Sequence, residues 1–146
     1  MKKFNVKIKG CAPFLMARHP LPKEQEEILK RHVTTGGKGI KPKDLTDEEQ
    51  YEMHAYKTED GKYCLPSMMI EASMVKSATN HIMKGKKTYK DCIKGGIIVD
   101  PNQIIFKPQN FVSDGRWATN KNTGGAIWVV RPRIDEWEAE FDLTLL

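Results

Sequence analysis

The sequence predicts an α+β fold in which an antiparallel sheet carries helices packed on one face. Three observations lead there. The first strand-like segment and the last both alternate apolar with polar side chains. Two helical regions lie between them, and turn signals divide the later half into short strands. The split βαβ, ferredoxin-like arrangement is the specific expectation. The 146 residues fit a single domain, 1–146, with residues 34–43 as a loop insertion. A chain of this length buries about 70% of its extended surface and needs no disulfide or metal staple. Its 39% hydrophobic and 29% charged residues argue against wholesale disorder.

Taken in order, Phe4, Val6 and Ile8 alternate with Asn5, Lys7 and Lys9, a half-buried strand that Gly10 and Pro13 end. Residues 22–33 read as a helix. Pro22 suits its first turn, Glu24, Glu26 and Glu27 its positive end, and Lys30, Arg31 and His32 its negative end. Thr46 and Glu49 form a capping box that opens a helix through about Ala55. Asp60-Gly61 between Tyr56 and Tyr63 marks a tight turn. Ile70, Met74, Ala78 and Ile82 keep i, i+4 spacing, so the strongest helix runs from Leu65 to about Met83. Its methionines read as core packing rather than as a binding surface. A further helix covers Thr88 to Lys94 and closes at Gly95-Gly96. Ile97–Val99 reads as a buried strand, and Gln103–Lys107, Phe111–Thr119 and Ala126–Arg131 follow as strands. Residues 120–125 form a hairpin loop. From Trp137 to Leu145 apolar residues alternate with Glu138, Glu140, Asp142 and Thr144. Set beside the first strand, Glu138, Glu140 and Asp142 face its lysines.

No catalytic or metal motif stands out. Cys11, Cys64 and Cys92 form no CxxC pair and read as reduced, mostly buried small hydrophobes. His19, His32, His54 and His81 are isolated, with no HExxH or GxSxG. Gly36-Gly37-Lys38-Gly39 is followed by Ile40-Lys41-Pro42, which does not fit a phosphate loop. The expectation is a chain with no cofactor, more readily a binding protein than an enzyme. Lysines alternate with apolar residues at the start, with no continuous apolar run after them. The expected setting is therefore the cytoplasm, with no signal peptide, transmembrane helix or membrane partner.

Charge is unevenly spread. Residues 84–133 hold ten lysines and arginines against three aspartates, while residues 134–146 hold five acids and no base. Lys84, Lys86, Lys87 and Lys90 crowd around Tyr89, with Lys94 four residues on. Arg116 and Trp117 precede the 120–125 loop, which carries Lys121, opposite Trp128. Arg131 and Arg133, separated by Pro132, project the same way along an extended segment, where guanidiniums can grip phosphate. Bases of this kind neutralise phosphates and aromatic rings stack on unpaired bases. The plainer readings are a solvated basic face, core tryptophans, and arginines paired with nearby acids.

Three segments resemble a family of small uncharacterised proteins of bacteriophages and mobile elements. They are Ile8-Lys9-Gly10-Cys11-Ala12-Pro13-Phe14-Leu15-Met16, Gly61-Lys62-Tyr63-Cys64-Leu65-Pro66-Ser67, and the stretch from Val130-Arg131-Pro132-Arg133 to Trp137 and Phe141. Their order matches too. More distantly, the layout is similar to the RAMP proteins, the ferredoxin-like RNA-binding subunits of CRISPR complexes, although no long glycine-rich loop lies near the C-terminus. The resemblance implies a ferredoxin-like fold and RNA contact.

The reading that follows is a non-enzymatic phage or mobile-element protein that binds single-stranded RNA or DNA. Its contact residues are Lys84, Lys86, Lys87, Tyr89, Lys90, Lys94, Arg116, Trp117, Lys121, Arg131 and Arg133. Two alternatives stand beside it. One is a protein–protein module, either a homo-oligomeric assembly subunit or an inhibitor of a host defence complex. The other is a metal-independent nuclease using a histidine.

Overall fold

A computed structural model describes residues 1–19, 23, 24, 27 and 45–146. Of the helix expected over 22–33, Lys23, Glu24 and Glu27 are helical. The remainder of it, and the 34–43 loop with its Gly36-Gly37-Lys38-Gly39, lie outside the described residues. The described chain runs β1 (Lys2–Lys9), β2 (Phe14–Leu15), α1 (Asp47–His54), β3 (Cys64–Pro66), α2 (Ser67–Ala78), β4 (Ile82–Lys84), β5 (Lys87–Thr88), α3 (Lys90–Gly96), β6 (Ile97–Asp100), β7 (Gln103–Ile105), β8 (Val112–Thr119), β9 (Ala126–Ile134) and β10 (Glu138–Leu145). Every strand pairing is antiparallel and helices alternate with the strands, so the class is α+β.

The chain divides into two compact units, one of Met1–Cys11, Lys57–Gln109 and Glu136–Leu146, the other of Ala12–Tyr56 and Asn110–Asp135. In the first unit the sheet order is β1-β10-β6. Lys7 lies opposite Glu140 and Lys9 opposite Glu138, as the charge pattern predicts. Ion pairs close diagonally, Lys3 to Asp142 at 3.0 Å and Lys7 to Glu138 at 3.2 Å. Val99, Ala139 and Phe141 are buried on one face of this sheet, and Cys64, Leu65, Ile104 and Phe106 are buried on or beside the β3–β7 pair. Trp137 sets its indole edge-on to Phe106, with 5.6 Å between ring centroids. The Glu71 carboxylate on α2 accepts from the backbone N–H of Val99 at 3.1 Å, which ties the helix to β6.

Five expectations change here. The methionines read as core packing are not in the core: Met68 is 70% exposed, Met69 and Met83 are exposed as well, and Met74 is half-buried. The strongest helix stops at Ala78 instead of Met83, because Thr79 bonds back to the Lys76 carbonyl through its hydroxyl at 2.6 Å and the next two N–H groups follow in a turn. Ile82 and Met83 enter a hairpin whose reversal needs Gly85 at φ +62°. The following helix starts at Lys90 and includes Gly95-Gly96, which were expected to close it. β6 is half-buried, since it alternates Ile97 and Val99 inward with Ile98 outward. Among the cysteines only Cys64 is buried, and Cys11 and Cys92 are exposed. Cys11 follows the end of β1, and Cys92 lies in a short helix that buries no residue, so neither has a core to enter. Burial raises the Cys64 thiol pKa.

The second unit is a β2-β9-β8 sheet with α1 on one face. The capping box forms: the Thr46 hydroxyl accepts from the Glu49 N–H at 3.2 Å and the Glu49 carboxylate from the Thr46 N–H at 3.0 Å. Val130, Pro132 and Ile134 are buried on the helix-facing side of β9. The buried Gln50 side chain accepts from the Val130 N–H at 3.1 Å, and His54 Nδ1 donates to the Val130 carbonyl at 2.9 Å. Together they satisfy both backbone groups of one residue from a helix. Trp128 crosses Gly115 so closely that a Cβ there would stand 2.8 Å from its Cη2. Only glycine leaves that indole its place.

Candidate nucleic-acid interface

The expected contact residues fall into the two units. Lys84, Lys86, Lys87, Tyr89, Lys90 and Lys94 belong to the first, and Arg116, Trp117, Lys121, Arg131 and Arg133 to the second.

In the first unit the lysines stand on a protruding hairpin and the helix after it. Lys84 and Lys87 lie opposite each other across β4 and β5, and Lys86 occupies the turn. Lys90 and Lys94, four residues apart on α3, share one side of that helix. All five are exposed and none has an ion pair among the described residues. Tyr89, 45% exposed, sits between hairpin and helix. Its N–H donates to the His81 carbonyl at 3.1 Å, which pins the two ends of the hairpin together. Behind it lies a groove of about 280 Å³ lined by Met74, Ser77, Ala78, His81, Tyr89 and Ile93.

In the second unit the arginines are largely committed. Asp114 lies directly opposite Arg131. Its carboxylate takes Arg116 through Nε and, at 2.8 Å, through Nη2. It takes Arg133 Nη1 at 2.9 Å as well, and Arg133 Nε reaches Asp135 at 2.7 Å. Bonds first from Arg116 and then from Arg133 hold the Asp114 pKa down at about 2. The same contacts raise the pKa of both guanidiniums. Arg131 Nε is buried with no hydrogen-bond partner among the described residues. Arg131 and Arg133 do project to one side, but Arg133 already grips two carboxylates. On the opposite face of the hairpin Trp117 is 71% exposed and packs edge-on against Trp128, 5.5 Å between centroids. Trp128 is held by its own Nε1–H, which donates to Asp47 at 3.0 Å. Lys121 is exposed at the loop tip, which Asn120 braces by accepting from the Asn122 N–H at 2.9 Å.

His54 is turned toward β9, and burial lowers its pKa, so it is neutral at neutral pH. His19 and His81 are exposed, and His32 lies outside the described residues. Among the described residues no group of three or more His, Cys, Asp or Glu side chains is placed to hold a metal ion, and no helix is long and apolar enough to cross a membrane.

The sequence reading missed the groove. Met74 and Ala78 carry helical spacing that signals a core face, yet past Ala78 the same face opens beside His81. The available signal was the pair Tyr89 and Ile93, one helical turn apart beside the lysines. No family model, curated protein or solved structure matches the chain.

Proposed function

We propose that the protein binds single-stranded nucleic acid without catalysis. The contacts are the Lys84–Lys94 segment with Tyr89 in one unit and Trp117 with Lys121 in the other. The observation that carries the reading is the cluster of five exposed lysines, without an ion pair among the described residues, around a half-exposed tyrosine. Elsewhere in the described chain Lys3, Lys7, Arg18, Arg116 and Arg133 have acidic partners, and further exposed lysines without one, Lys2, Lys9, Lys62, Lys76, Lys107 and Lys121, are spread along the sequence instead of grouped within eleven residues. Uncompensated lysines attract phosphates, and an exposed ring offers a stacking platform of about 1–3 kcal/mol per base. Trp117 supports the same reading, because a large indole left in solvent on a firm neighbour is ready to stack. Arg116 and Arg133 contribute less than their sequence positions imply, since Asp114 neutralises part of their charge. The reading requires no ferredoxin-like sheet order. The three ordered motifs that resemble phage and mobile-element proteins are compatible with it.

The test is a fluorescence-anisotropy titration of labelled single-stranded RNA and DNA at low salt, with a duplex of the same sequence for comparison. Preferential binding of a single strand supports the reading. No affinity for any nucleic acid at low salt removes it.

A second reading, a protein-docking module, is favoured by Ile82, 69% exposed on the same hairpin, with Met83 exposed beside it. It predicts a stable oligomer of the pure protein in analytical ultracentrifugation.

A further inference from the structure

The geometry points to the groove behind Tyr89 as a slot for one unpaired nucleobase, an inference that rests on the single-strand reading above. Its walls are apolar where a ring face would lie. Met74 and Ala78 come from α2, and Ile93 and Tyr89 from the α3 side. Three of its lining residues, Ser77, His81 and Tyr89, carry polar side chains of the kind that meets the edge of a heteroaromatic ring. At about 280 Å³ it falls just below the roughly 300–1,000 Å³ of sites for drug-sized ligands, which suits one flat ring system.

Charge identifies what that ring is attached to. His81 and Tyr89 bound the groove and also bracket the hairpin, so Lys84, Lys86 and Lys87 project from the segment joining two groove residues. Lys90 and Lys94 flank Ile93, the groove residue on α3. An apolar slot with unpaired ammonium groups on both flanking segments is complementary to an apolar ring carried on a polyanion. A base flanked by phosphates has that form. The soft Met74 thioether adapts to purine or pyrimidine alike, so the slot holds a base without selecting one strictly.

The test uses the full chain and two labelled strands of about 12 nucleotides, one carrying bases throughout and one abasic throughout. The slot predicts that the abasic strand binds roughly five-fold or more weakly at the same salt concentration. Tyr89→Ala closes most of that gap and Tyr89→Phe keeps it. Ser77→Trp, which fills the groove from an exposed helix position, closes the gap without lowering the melting temperature. A strand with a single 2-aminopurine shows quenching on binding that Ser77→Trp abolishes. Equal binding of both strands would leave phosphate recognition standing and overturn the slot. Binding of neither strand overturns both readings. Tighter, Ser77→Trp-sensitive binding of a labelled acidic peptide containing leucine would assign the groove to a protein partner instead. A dimer that Ser77→Trp dissociates would assign it to a second copy of the chain.

Discussion

Replacing Lys86 and Lys87 with glutamine removes two of the five unpaired ammonium groups while leaving the hairpin turn at Gly85 untouched. Each phosphate neutralised on a single strand releases counterions and contributes about −0.7 to the slope of log affinity against log salt. If Lys84, Lys86, Lys87, Lys90, Lys94 and Lys121 all engage, the slope is about −4.2, and affinity falls about 300-fold between roughly 50 and 200 mM salt. The double variant should show a slope of about −2.8 and a fall of about 50-fold over the same range. Anisotropy titrations at four or more salt concentrations read the slope directly, and circular dichroism confirms that the variant folds. Lys62→Gln, in the exposed Thr58–Lys62 turn, should leave the slope unchanged. A slope that the double variant does not alter would refute the assignment of these lysines to phosphate contact. So would an affinity indifferent to salt in the unsubstituted protein.

Other outcomes follow from particular contacts. Trp117→Ala should weaken single-strand binding roughly five-fold or more, with an unfolding midpoint close to that of the parent, because the indole is mostly in solvent. Thr46→Ala removes the hydroxyl half of the capping box and should cost about 1 kcal/mol in urea unfolding. Asp114 has a pKa of about 2 in the folded chain against 3.8 ordinarily. Because the folded value is the lower one, its stabilisation is present above 3.8 and is lost as pH falls through about 2. Asp114→Asn should therefore be less stable than the parent at neutral pH, and the two unfolding curves should converge as the acid limb is followed down.

Much of the fold is written in local periodicity and caps. The alternation of residues 3–9 and 137–145 placed β1 and β10, and their opposite charges placed them side by side. Thr46 and Glu49 opened α1, and Asn120 to Gly125 closed the β8–β9 hairpin, because capping and turn chemistry act within a few residues. The end of α2 was harder to read. Ile82 keeps the helical spacing, but a hydroxyl bond at Thr79 and a left-handed Gly85 decide for a hairpin. Helical periodicity cannot report a competing set of backbone bonds.

Sequence alone determined where the positive charge and the aromatic rings occur, and that helices alternate with antiparallel strands. Those properties depend on residue type and near neighbours. Only tertiary structure decided which charges are compensated. Arg133 meets Asp114 nineteen residues away because β8 and β9 pair in one register, whereas no described acid reaches the lysines of β4, β5 and α3. It also decided that Trp117 faces water while Trp128 is pinned by Asp47 from α1. Compensation and exposure depend on what the folded chain brings within a few ångströms, and no linear spacing records that.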